Sequence, residues 1–538
     1  MLVVDGHAFA AAFFAVVLIP LLLWRVPGSP VILLVLAATN IERMGDDRPD
    51  AITAKIPLFR SLRDSYGIPG AIVTPIECLI ILALLIWIAK AISDRRLTFK
   101  PSPLGIGVAS FFTIALFEEF FGLARGAIFN ISLWELRPFL YLAAAYLLAS
   151  QLISTGAMLE AILWGIVIGT GLKGVLGTER VITLAQAVPP PESILEHDES
   201  FFFSVFILLT VAMWVLGRRG KLRLVATLLL PFVVTADLGN HRRAAWVILP
   251  AIAIAFWVVM YQRLPERRKM LGIVGGVVLL VGSAYVAAFK TSNSIVGEPA
   301  SAIWSQFSPN TRDYNSNQYR ILENYNLAID IRGSFLTGTG FGVPISHPVP
   351  IFDASSLDPL INFIPHNTIL YVWLRLGTMG AIAFWFVVGA AIVSACRLAR
   401  HPDRDLCLFG MVTMASVIAW VIQGRLDKGI ASFRIVIMVG CLLGALEGAR
   451  RLGQTRLAER LAGVVAGEPA VPIEASDGDL AGARQRPAAL LLPPSMRKRA
   501  ALYGRGPNVR THVAARIVRE PGGGSSRSPA ALRGPRPR

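Results

Sequence analysis

Pro365-His366-Asn367-Thr368-Ile369-Leu370 opens the stretch PHNTILYVWLRLGTMGAIAFWFVVGAAIVSACR, residues 365–397, where a long polar passage returns to hydrophobic sequence. Residues 369–397 are apolar for longer than the roughly 20 residues a helix needs to cross a bilayer. The stretch therefore reads as a membrane helix with an imidazole and an amide at its mouth. Ionisable groups at membrane depth are expensive, and each is a functional candidate by default.

Composition extends that reading to the whole chain. Of 538 residues, 54% are hydrophobic and only 16% are charged, whereas about 25% are charged in an ordinary soluble domain. Apolar runs recur at 8–24, 71–92, 104–124, 134–153, 157–177, 200–217, 222–238, 244–261, 270–289, 369–397, 406–424 and 430–448. A shorter run, 30–40, makes a half-crossing or a short extra helix. The fold class is all-α: a polytopic membrane protein of about 12 transmembrane helices, with one large outward loop, 290–365, before the third-last helix. The first run lacks a basic flank and a small-residue cleavage pattern, so it reads as a span and not as a cleaved signal. Cys78, Cys396, Cys407 and Cys441 all fall in or at the edges of spans, which implies apolar packing and no disulfide framework.

Charge sets the orientation. The loops 94–100, 218–221, 263–269 and 397–404 are basic and an even number of crossings apart, which places them in the cytoplasm. The loops 41–70, 125–133, 178–199, 239–243, 290–365 and 425–429 then face outward. Residues 450–538 carry 17 Lys and Arg against 6 Asp and Glu, most of the net charge of +17. Rich in Pro, Gly, Ala and Arg, this segment reads as a disordered basic cytoplasmic tail following a transmembrane domain over 1–449. It lacks the aromatic interleaving or folded motif of a nucleic-acid binder; membrane lipids are the partners its charge suits.

The outward loops carry charges that the topology rule disfavours. Arg242 and Arg243 follow Asn240-His241 at the outer end of one span and open the next. Glu118, Glu119, Arg125 and Arg137 can pair among themselves, and Lys173, Asp237, Arg375 and Arg434 lie near the outer ends of helices. Arg243 has no carboxylate beside it in sequence. In the large loop, Tyr319-Arg320 leads into a helix over Ile321 to about Ile331, where Ile321, Tyr325 and Ala328 recur at helical spacing and make a packing face. Gly338-Thr339-Gly340-Phe341-Gly342 follows; with no βαβ unit around it, it reads as a tight turn brought close to other elements. His366, just after proline, meets the positive end of a helix dipole, a field that favours the neutral ring able to accept a proton.

Taken in order, these motifs resemble a known family. Pro365-His366-Asn367-Thr368-Ile369-Leu370 with Gly377-Thr378-Met379-Gly380, Arg243-Ala244-Ala245-Trp246 upstream, and Tyr319-Arg320 with the glycine turn between them are similar to the O-antigen ligase and O-antigen polymerase family. The resemblance spans roughly residues 8–450. It implies a multi-pass protein of the bacterial cytoplasmic membrane whose active face is periplasmic. The donor would be a glycan on undecaprenyl diphosphate and the acceptor a glycan, lipid or protein hydroxyl. It implies His366, Arg320 and Arg243 as catalytic, with Arg242, Asn367, Gly338 and Gly340 at the diphosphate or substrate, and no metal or other cofactor. Ligase, polymerase and protein O-oligosaccharyltransferase stay open. Asp46-Asp47 offers an alternative, a metal-assisted polyprenyl-phosphate-sugar glycosyltransferase. A polysaccharide transporter or flippase is the weaker reading, since no internal repeat is visible and the charges gather at one face.

Overall fold

The computed structural model describes residues 18–42, 53–94, 102–184, 193–292, 294–309, 311–353, 355–356 and 359–465. Most of the first expected span (8–17), Asp46-Asp47 with its charged neighbours, the basic loop at Arg95-Arg96 and residues 466–538 of the tail lie outside them. The chain divides into two compact units, Met1–Gly453 and Gln454–Arg538. The first holds everything described below except the last turns of the final helix.

Helices make up the architecture, and no strand occurs among the described residues. In chain order they are α1 (Ile19–Arg25), α2 (Ser29–Asn40), α3 (Leu62–Tyr66), α4 (Pro75–Ser93), α5 (Pro103–Ala124), α6 (Phe129–Leu152), α7 (Gly156–Leu184) and α8 (Glu199–Val215). There follow α9 (Lys221–Gly239), α10 (Ala245–Arg263), α11 (Arg268–Phe289), α12 (Glu298–Trp304), α13 (Thr311–Gly333), α14 (Thr368–Ala399), α15 (Arg404–Leu426) and α16 (Phe433–Val465). Among the described residues nine helices are long and apolar enough to cross a membrane: α4 to α7, α9 to α11, α14 and α15. Of the other expected spans, α8 is an apolar helix of 17 residues, and α16 carries Arg434 in its first turn and Glu447 and Arg450 near its middle. The short run at 30–40 is α2, 12 residues long and mostly buried.

Local sequence explains where helices begin. Thr74 and Glu77 form a capping box at the start of α4, Ser102 caps α5, and Asp403 caps α15. Each side chain satisfies an amide that the first helical turn leaves without a partner. Small residues then let helices approach closely. A Cβ at Gly174 would meet Val233 of α9 at 2.6 Å, and one at Gly444 would meet the Tyr146 carbonyl of α6 at 2.3 Å. Such contacts hold helices together where lipid removes the hydrophobic drive.

The polar passage between α11 and α14 folds onto one end of this bundle through α13. The expected packing face of Ile321, Tyr325 and Ala328 is corrected by the structure. Ile321 and Tyr325 are both 57% exposed, while Glu323, Asn326, Leu327 and Ile331 are the buried ones. The helix also begins earlier, at Thr311. Its inward stripe is polar where it meets the bundle end and apolar only at Leu327 and Ile331, which pack with Ile345 and Leu374.

Buried charges are paired by residues distant in sequence. Arg137 bonds Glu77 of α4 at 2.8 Å, and Glu119 accepts from Ser132 at 2.7 Å, so of the pairing expected among Glu118, Glu119, Arg125 and Arg137 only the attraction between Glu118 and Arg125 is found. Lys173 meets Glu42 at 2.6 Å, and Arg434 meets Glu199 at 2.7 Å, all four fully buried. In a low-dielectric interior an unpaired charge would cost several kcal/mol, which explains why Arg137, Lys173 and Arg434 each meet a carboxylate.

Candidate functional site

The site is assembled where α13 meets three turns of the bundle. The first turn, between α9 and α10, carries Arg242 and Arg243. His241 there has φ of 50°, and its ring lies 3.4 Å from Glu298 of α12. Arg243 points at α13: it donates to Asn317 Oδ1 at 3.3 Å and to Ser316 Oγ at 3.5 Å, and its guanidinium lies 3.6 Å from Asp313. Of the adjacent arginines, Arg243 is thus the one these contacts tie to α13, with Arg242 half-buried on the same turn. The carboxylate that sequence neighbours do not supply comes from 70 positions downstream.

The second turn enters α14. Asn367 is the N-cap, its side chain accepting from the Leu370 amide at 3.4 Å and donating to Asn324 Oδ1 at 2.7 Å. Buried and engaged at both ends, it ties α14 to α13. His366 stands just before the cap. Its Nδ1 lies 3.1 and 3.3 Å from the two oxygens of Glu323, and its backbone amide donates to the same carboxylate at 3.2 Å. Tyr319 crosses the imidazole edge-on with centroids 5.8 Å apart. When Glu323 accepts from Nδ1–H, the neutral ring keeps its lone pair on Nε2, which is the tautomer a general base needs.

The third turn joins α15 to α16. The Lys428 amide donates to the His366 carbonyl at 2.9 Å, and Thr368 Oγ1 bridges the Gly424 carbonyl at 2.9 Å and the Ile430 amide at 3.1 Å. This sets Asp427 beside the site, bonded to His197 Nδ1. Burial alone would raise the Asp427 carboxyl; the positive fields of His197, Arg320 and His366 outweigh it and hold the group well below the ordinary carboxylate range. Arg320, one turn before Glu323 on α13, therefore shares a field with His366 and Asp427.

Gly338 and Gly340 sit deeper, in a break of α14. Gly377 has φ of 61° and ψ of −168°, which interrupts the helix. The carbonyls of Leu374 and Arg375, freed by that break, accept from the Thr339 amide at 2.8 Å and the Gly340 amide at 3.2 Å. The Thr378 amide in turn donates to the Phe335 carbonyl at 3.1 Å. Non-helical backbone at membrane depth survives only with such substitutes. Both glycines are buried with positive φ, and a Cβ on Gly340 would lie 2.5 Å from Gly122. The tight turn expected from the sequence is what the structure describes here. Arg375 locks it, donating to Glu135 at 2.8 Å, Thr339 Oγ1 at 3.1 Å, the Gly340 carbonyl at 3.2 Å and the Phe363 carbonyl at 2.9 Å.

Arg243, Arg320 and His366 are thus gathered along α13, and Gly338 and Gly340 support α14 from below. Sequence reading missed Asp313, Glu323, Asp427 and His197. Glu323 had a signal, since it lies three residues after Arg320 on a helix and so shares its face; Asp427 had none, since its partner His197 lies 230 positions away.

Residues 234–385 match the protein-family model described as O-antigen ligase. The matched stretch includes all seven residues singled out by their motifs, from Arg242 to Asn367. No curated protein matches the chain at a significant level. The ordered motifs and the helical membrane architecture agree with this match: over residues 234–385 the chain carries a domain similar to that of the O-antigen ligases.

Proposed function

We propose that the protein transfers a glycan from an undecaprenyl diphosphate carrier to an acceptor hydroxyl at the outer face of the cytoplasmic membrane. The match to the O-antigen ligase model supports a glycan-transferring enzyme of cell-surface polysaccharide synthesis. In the transfer, the acceptor oxygen forms a bond to the anomeric carbon as the bond from that carbon to the diphosphate oxygen breaks. The electron pair leaves with the diphosphate, and the acceptor proton passes to His366 Nε2. Arg243 and Arg320 neutralise the leaving group, since guanidinium forks bind phosphate oxygens in pairs of hydrogen bonds. With arginines in that role the transfer needs no metal ion. Glu323 fixes the His366 tautomer, while Asn367, Gly338 and Gly340 hold the elements on which these groups stand.

The observation that carries this reading is the convergence of one base and two arginines on a single helix, α13, through Glu323, Arg320 and the Asp313 to Asn317 segment. Purified protein supplied with lipid-linked glycan and acceptor provides the test. Arg320→Ala and His366→Ala should each lose about 100- to 1,000-fold in rate, as removal of one transition-state donor does, with wild-type activity surviving EDTA. Retention of transfer in both variants overturns the reading. Glycan profiles from cells then sort the acceptor: loss of a ladder with capped short chains identifies a polymerase, and loss of all attached glycan with precursor accumulation identifies a ligase.

A further inference from the structure

Residues 196–199, Glu-His-Asp-Glu, form the turn before α8, and three of the four are consumed inside the protein. Glu196 and Glu199 bind Arg434 at 3.1 and 2.7 Å, and Asp198 accepts from Ser432. The backbone is held as firmly. The Leu195 amide donates to Asn240 Oδ1 at 2.9 Å, and Asn240 Nδ2 donates to the Glu196 carbonyl at 3.3 Å; Gln423 reaches the His197 carbonyl at 3.5 Å. Asn240 lies three residues before Arg243. The fourth residue, His197, is different: its side chain is 51% exposed while its partner Asp427 is 13% exposed.

A rigid turn thus presents one imidazole outward, with its Nδ1 fixed by a nearly buried carboxylate. The same carboxylate lies next to Lys428, whose amide bonds the His366 carbonyl. Two imidazole–carboxylate pairs, His366 with Glu323 and His197 with Asp427, therefore stand on adjoining turns linked by the Lys428–His366 backbone bond, and Arg320 acts electrostatically on Asp427. The proposed transfer requires one base, and His366 fills that place. What the reaction needs besides is positive charge for a diphosphate that gains an electron pair.

We propose that His197, oriented by Asp427, is a further donor-binding residue, whose Nε2–H in the imidazolium form donates to an oxygen of the departing lipid diphosphate. The proposal deepens the transferase reading and rests on it. The Asp427 carboxylate bonded to Nδ1 and largely buried leaves Nε2 as the exposed nitrogen of the ring, aimed away from the pair. His197 forms no bond to the glycan and takes no proton from the acceptor. It is a binding group for the leaving anion, and Asp427 is its positioning residue.

The test uses full-length protein in detergent, with undecaprenyl diphosphate as probe and undecaprenol as its uncharged control. His197→Ala should weaken undecaprenyl diphosphate binding about tenfold, leave undecaprenol binding unchanged, and raise KM for the lipid-linked donor without changing KM for the acceptor. His197→Gln, which keeps a donor near the same place, should recover part of that loss. Asp427→Asn should weaken binding too, and combining it with His197→Ala should add less than threefold. Equal binding in wild type and His197→Ala, or a loss confined to acceptor KM, overturns the proposal while leaving the transferase reading intact. A wild-type protein that neither transfers glycan nor binds the diphosphate overturns both. Should His197→Ala unfold, the glutamine variant decides: undecaprenyl diphosphate binding equal to wild type, or a melting temperature that falls in step with affinity, assigns His197 a purely structural role.

Discussion

Replacing Glu323 by Gln removes one charge from the site and almost nothing else. The carboxylate is 4% exposed and touches His366 three times, through Nδ1 at 3.1 and 3.3 Å and through the backbone amide at 3.2 Å. As the acceptor proton arrives on Nε2, the ring becomes an imidazolium facing that carboxylate. A hydrogen bond to a charged group contributes about 1 kcal/mol more than a neutral one, which sets the floor. Opposite charges about 4 Å apart at an effective dielectric near 20 attract by about 4 kcal/mol, which sets the ceiling. The ring is a quarter exposed, so solvent screening brings the expected loss to about 2–3 kcal/mol, or roughly 30- to 150-fold in kcat. KM for the donor should stay within about twofold, since the amide preserves shape. Single-turnover transfer at saturating donor and acceptor measures the effect. Glu323→Gln placed on a His366→Ala background should cost under threefold more. A single variant with more than half of wild-type kcat, or one whose penalty persists undiminished without the imidazole, would refute the idea that Glu323 acts through His366.

Three further outcomes follow from packing. Glu135→Ala leaves Arg375 as an uncompensated charge in the bundle, because the pair is 1% and 0% exposed; thermal unfolding in detergent should show a loss of about 3–5 kcal/mol, and Glu135→Gln a smaller one. Gly340→Ala combines a φ of 74° with a Cβ that would stand 2.5 Å from Gly122, so it should cost more than the about 1–2 kcal/mol of left-handed backbone alone, read as lost folded protein on size exclusion. Leu327→Ala removes the centre of the small cluster that seats α13 and should loosen that helix by about 2–5 kcal/mol. Hydrogen exchange would then rise across α13 while α14 to α16 stay protected, and equal exchange in all four would show that α13 has no separate seat.

Much of the architecture was readable from the chain because membrane helices declare themselves by length and apolarity. Ile369 to Arg397 reads as a span on sequence alone, and α14 is found at Thr368–Ala399. The break at Gly377 was less legible, since a glycine in an apolar helix is ordinary until a partner loop is known to fill it. Motif residues were readable as well, but their partners were not. Arg243 meets Asp313, and Glu323 meets His366, across gaps that no local pattern encodes. The face of α13 misled for a physical reason. Ile321 and Tyr325 look like a core stripe only if the surface receiving the helix is apolar; here it is the polar end of a bundle, so Glu323, Asn324 and Asn326 turn inward and the hydrophobic side chains stay exposed.

That inversion bears on how the site is built. Asp313, Asn317, Arg320, Asn324, Leu327 and Ile331 recur at intervals of three and four, one continuous stripe of a helix. Its first half bonds Arg243, its middle faces His366 and Asp427, and its last turns are seated by Leu327 and Ile331. Two buried aliphatic side chains contribute only about 1.5–3 kcal/mol each, far less than the bundle beneath them. The charged groups at the stripe's start therefore depend on a modest apolar anchor at its end and on the Thr339–Gly340 amides lodged in the α14 break. Because Arg320 and Glu323 share one helix, a substitution that unseats Leu327 should disturb both groups at once while leaving the membrane helices folded.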